Sequence, residues 1–80
     1  MMKAYVLIEA AIGKVAQILK KVQAIPSVVD ANAVAGPYDL IIILQAENPE
    51  KIGQLVMEQI HNIPGVNYTM TCVAITGQAE

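Results

Sequence analysis

A shift of 38 positions lays the second half of this chain over the first. Ile18 then falls on Val56, Leu19 on Met57, Val22 on Ile60, Ile25 on Ile63, Pro26 on Pro64 and Val28 on Val66. Two halves built alike restrict the fold to two copies of one supersecondary unit, so reading one copy largely reads the other.

In the first copy, residues 3–9 alternate. Ala4, Val6 and Ile8 are set against Lys3, Tyr5, Leu7 and Glu9, the period of a strand. After Gly13 the apolar residues Val15, Ile18, Leu19, Val22 and Ile25 recur at spacings of three and four, which predicts a helix with one apolar stripe. Pro26 ends it, because proline disfavours helical geometry in the residue before it. Residues 28–35 predict a second strand carrying Asp30 and Asn32, Gly36-Pro37 a tight turn, and residues 38–46 a third strand, so that the two strands form a hairpin. Asn48-Pro49 reads as an N-cap followed by proline at the first helical position, with Glu50 near the positive end of the dipole. The second helix carries Ile52, Leu55, Val56 and Ile60 and stops at Ile63-Pro64-Gly65. Residues 66–76 predict the fourth strand and 77–80 a tail. The expected fold class is α+β: a ferredoxin-like βαββαβ chain, a four-stranded antiparallel sheet with two helices on one face.

Composition bounds what such a domain does. Its 80 residues leave room for one domain, and 55% apolar residues with a mean hydropathy of +0.48 exclude a disordered segment. The longest apolar stretches, residues 4–8 and 40–44, are far shorter than the roughly 20 residues of a membrane-spanning helix. The first residues show no secretory leader, so the expected location is cytoplasmic. All five basic residues are lysines, which removes bidentate recognition of phosphate or guanine, and the lack of Phe and Trp removes the usual stacking platforms. No direct contact with nucleic acid is expected. Cys72 is the sole cysteine, so an intrachain disulfide and a thiolate metal cluster are both excluded, and a buried structural thiol is expected.

Helices cover one side of such a sheet, and the other side of a monomer should be polar at every second strand position. Here it is not. Leu40, Ile42 and Leu44 alternate with Ile41 and Ile43, Tyr5 and Leu7 lie opposite Ala4, Val6 and Ile8, and the last strand sets Met70, Cys72 and Ala74 against Val73 and Ile75. A patch of a few hundred Å2 exceeds what soluble monomers tolerate. The expectation is an obligate dimer packed sheet against sheet.

Catalytic constellations are missing from the sequence. His61 is the one histidine and reads as a surface residue near a helix end, and Glu47, Glu50 and Glu58 read as a solvated helix face. No enzyme, metal or cofactor is expected. Asp39 stands out: it is a charge at the root of the most apolar strand, where burial without a partner costs several kcal/mol. Either it hydrogen-bonds the turn backbone, or it holds a cationic group of a ligand beside N–H donors exposed at Gly36.

The G-x-Y-D element at Gly36 to Asp39, the Ile-Pro-x-Val closures at Ile25 to Val28 and Ile63 to Val66, and Thr69 and Thr71 entering the last strand resemble the effector-sensing domain of the Lrp/AsnC (feast/famine) transcriptional regulators. The resemblance runs over residues 3–76 and includes no helix-turn-helix reader, which implies the stand-alone type. It implies a sensing and oligomerising module that dimerises through its sheets, assembles further into an octamer-like ring, and binds a small effector, typically an amino acid, between dimers. Gly36 would offer close backbone approach, Asp39 would meet the ammonium, Tyr38 would line the pocket, and Thr69 and Thr71 would supply hydroxyls from a neighbouring strand or subunit. Pro37 has no N–H to donate there. The partner so implied is a full-length regulator of the same family. Competing expectations are a small dimeric monooxygenase or isomerase of similar shape, an assembly-only domain, and an ACT-type amino-acid-binding domain.

Overall fold

Alternation in the strands and the three-four spacing in the helices select which side chains leave water, and the core follows both. The computed structural model describes residues 1–75. Its elements are β1 (Met2–Ala10), α1 (Val15–Gln23), β2 (Val28–Ala33), β3 (Leu40–Ala46), α2 (Pro49–Leu55) and β4 (Val66–Val73), with one π-helical turn, Val56–Ile60, continuing α2. The strands lie in the order β2-β3-β1-β4 and every neighbouring pair is antiparallel, which is the ferredoxin-like arrangement. Ala4, Val6 and Ile8 of β1 and Leu40, Ile42, Leu44 and Ala46 of β3 are buried against Ile18 and Val22 of α1 and Ile52, Val56 and Ile60 of the second helix.

The repeat is realised atom by atom at the helix exits. Ile25 N–H donates to Val22 O and Val28 N–H to Ile25 O; in the second half Ile63 N–H donates to Ile60 O and Val66 N–H to Ile63 O. Ile18 and Val22 are buried, as are their counterparts Val56 and Ile60. One pair diverges: Leu19 packs against the core, whereas Met57, inside the π turn, is 64% exposed.

The hairpin is looser than a tight turn. β2 ends at Ala33 and β3 begins at Leu40, leaving the loop 34–39. Val34 N–H closes this loop on Asp39 O at 2.9 Å, while Asp39 N–H turns the other way and donates to Ile8 O of β1 at 2.9 Å. Asp39 thus divides its backbone between the loop after β2 and β1, and the expected strand ends at Ala35 and Tyr38 draw back to Ala33 and Leu40. The Cys72 thiol is exposed, correcting the expected buried thiol: β4 is an edge strand, and Cys72 lies opposite Tyr5 on the face without helices. β4 ends at Val73, with Ala74 N–H still bonded to Lys3 O; the expected continuation to Thr76 and the tail 77–80 lie outside the described residues.

On α2, the Asn48 side chain accepts from Lys51 N–H at 2.8 Å, and Pro49 stands in the first turn where its missing N–H costs no helical bond. Gly65 at the entry to β4 has φ +98, and a Cβ there would lie 2.8 Å from Lys14 Cβ, so the connection passes α1 at a distance only glycine permits.

Candidate functional site

Antiparallel pairing assigns each strand residue to a face, because residues directly opposite one another point the same way. Ile8 pairs with Thr69 and Val6 with Thr71, so both threonines lie on the helix side of β4; Leu7 pairs with Met70 and Tyr5 with Cys72 on the open side. Thr71 is exposed and Thr69 half-buried, because the helices stop short of the β4 edge.

Asp39 is half-buried, and its carboxylate accepts from Ala10 N–H at 2.8 Å. The β1–β3 pairing ends at Ile8 and Leu40, and the carboxylate supplies the acceptor for the Ala10 N–H two residues beyond it. The side-chain carboxylate of Asp39 therefore bonds the backbone of β1 rather than that of the turn. Tyr38 Oη donates to Met70 Sδ at 3.7 Å, which carries the Tyr38 side chain across β1 on the open face. Gly36 is exposed, its φ is not positive, and a Cβ there would meet nothing within 4 Å inside the subunit. Gly36, Tyr38, Asp39 and Thr69 gather at one end of the sheet, but Tyr38 and the two threonines are on opposite faces. One subunit thus presents them as two separate groups.

The residue that sequence reading set aside is His61. It is exposed, as expected of a surface residue, yet its Nε2 lies 2.6 Å from Thr69 Oγ1. With Val66, Asn67 and Tyr68 the two line a concavity of about 330 Å3 on the helix side of β4. The signal was present in part: alternation turns Thr69 toward the helices, and His61 ends the helix just before it. A second concavity of about 400 Å3, lined among others by Gln45, Glu47, Lys51 and Glu58, lies at the other end of the sheet and contains none of the expected residues.

On the open face, Leu7, Ile41 and Ile43 are half-buried and Tyr5, Tyr68 and Met70 more exposed still, rimmed by Asp30, Asn32 and Glu9. Among the described residues no group of three His, Cys, Asp or Glu is placed to hold a metal ion, and no helix is long and apolar enough to cross a membrane.

Residues 3–77 match the family model described as the Lrp/AsnC ligand binding domain. The chain belongs to this family. An uncharacterised HTH-type transcriptional regulator of Pyrococcus horikoshii, PH1916, is 34% identical over 64 residues, which cover 80% of this chain and 43% of that protein. The chain spans about half or less of the length of the curated regulators it matches. Among solved structures, FFRP-DM1 has 33% identity and a TM-score of 0.89, covering 94% of this chain and 100% of its own. TTHA0845 from Thermus thermophilus has 28% identity and a TM-score of 0.94, covering 100% of both chains. The domain is thus a regulatory ligand-binding module of the Lrp/AsnC type.

Proposed function

We propose that this chain is a single, non-enzymatic domain that senses an amino acid and oligomerises in the cytoplasm, modulating transcription regulators of its family without touching DNA itself. The observation that carries the reading is the match of residues 3–77 to a ligand-binding domain. The two groups of residues at one end of the sheet support it. Tyr38 and Asp39 on one subunit and Thr69 and Thr71 on another would complete a single pocket, with Gly36 leaving its backbone open to the ligand. Asp39 retains a second carboxylate oxygen for an ammonium group while the first holds Ala10 N–H.

The apolar open face supports a sheet-to-sheet dimer. At about 25 cal/mol per Å2, covering a few hundred Å2 on each of two copies contributes on the order of ten kcal/mol before the cost of association. Such dimers would then meet through their sheet ends in an octamer-like ring.

Thermal unfolding of the wild-type chain with each of the twenty amino acids tests the sensing role. A ligand at a hundred times its Kd adds about 2.7 kcal/mol. Thr71→Val removes an exposed hydroxyl without touching the core and should shrink that gain. No shift with any amino acid would leave the assembly-only reading in its place.

A further inference from the structure

We infer that His61, which is not among the five residues expected above, joins Thr69 in a carboxylate-binding subsite. The inference rests on the effector being a carboxylate-bearing molecule such as an amino acid.

The repeat provides the comparison. Moving back 38 positions from His61, Val66, Asn67, Tyr68 and Thr69 gives Gln23, Val28, Val29, Asp30 and Ala31. Those five residues line their own concavity of about 240 Å3. The fold therefore builds the same hollow twice, where a helix exits beside an edge strand. In the first hollow Ala31 has no hydroxyl, and the Asp30 carboxylate is on the open face beyond it, bonded to Ala31 N–H and Asn32 Nδ2. In the second, Thr69 replaces Ala31 and His61 replaces Gln23. Packing that both halves require cannot account for substitutions confined to one of them.

The backbone also departs from the repeat at this place. α1 is α-helical over Val15–Gln23, whereas the second helix ends in the π turn Val56–Ile60, with His61 N–H donating to Val56 O at 2.8 Å. One residue added to a helical turn rotates the side chains that follow by about 100°. The wide turn is what presents the imidazole to β4, and π turns concentrate at functional positions.

The chemistry suits an anion with two oxygens. If Nε2 accepts the Thr69 hydroxyl proton, Nδ1–H is left to donate; if Nε2–H donates to Thr69, the Thr69 O–H is left. Every neutral tautomer leaves the pair one free donor, and the imidazolium leaves it two.

The single histidine makes the test direct, because the imidazole 15N signals of the wild-type protein belong to His61 alone. Acetate, and any amino acid that binds, should move those signals; methylammonium should not. His61→Phe and Thr69→Val should each weaken the amino acid about tenfold, the worth of one hydrogen bond, and Gln23→Ala in the other hollow should leave affinity unchanged. An amino acid that binds while the imidazole signals stay still, or that binds His61→Phe as tightly as wild type, overturns the inference. Acetate moving the signals when no amino acid binds upholds the subsite and refutes the amino-acid reading. Unmoved signals with acetate and all amino acids overturn the subsite on the wild-type chain alone.

Discussion

Replacing Asp39 by alanine removes the acceptor that holds Ala10 N–H, a 2.8 Å bond between residues 29 apart in the chain. The N–H is left beyond the last β1–β3 pair, Ile8 and Leu40, and Ala10 is half-buried, so water satisfies it only partly. An unsatisfied group costs about 1–3 kcal/mol when fully buried, and partial access places this one near 1.5 kcal/mol. For a domain of this size each kcal/mol lowers Tm by about 4–8 °C, which gives a drop of about 6–12 °C. Asp39→Asn keeps a carbonyl acceptor and should lose less than half as much. Urea unfolding followed by circular dichroism, at one fixed protein concentration, reads the difference, with m unchanged. Amide exchange at Ala10 should accelerate in the alanine variant. An Asp39→Ala protein within about 0.3 kcal/mol of wild type, or with Ala10 equally protected, would refute the structural role given to this carboxylate.

Ile43→Glu places a charge in the middle of the open face, beside Tyr5 and Asp30, and should dissociate a sheet-to-sheet dimer by about 3 kcal/mol or more without unfolding the subunit; sedimentation at micromolar concentration measures it. A wild-type monomer under those conditions would refute the dimer. Gly65→Ala should cost about 1–3 kcal/mol, because φ is +98 and the new Cβ meets Lys14, whereas Gly36→Ala should stay within about 0.5 kcal/mol; chemical denaturation of the pair separates strain from open space. Asn48→Ala removes the acceptor of Lys51 N–H and should cost about 1 kcal/mol, with faster amide exchange confined to the first turn of α2.

Period and punctuation already determined the order of elements in this protein. Ala4, Val6 and Ile8 had to share one face of their strand, and Leu40, Ile42 and Leu44 one face of theirs, because strand residues alternate, and Pro26 and Pro64 had to close both helices because each disfavours helical geometry before it. The internal repeat added that both helix exits share one geometry, and the hydrogen bonds at Ile25 and Ile63 repeat it. Tertiary structure decided what no local pattern encodes. Asp39 bonds a strand 29 residues away, Cys72 lies on an uncovered face, and His61 meets Thr69 because a widened helical turn aims it at an edge strand. Periodicity acts over a few residues along the chain, so it ranks side chains by face. Which faces, edges and turns then come within hydrogen-bond reach depends on how β1 inserts between β3 and β4, and that is a property of the folded sheet.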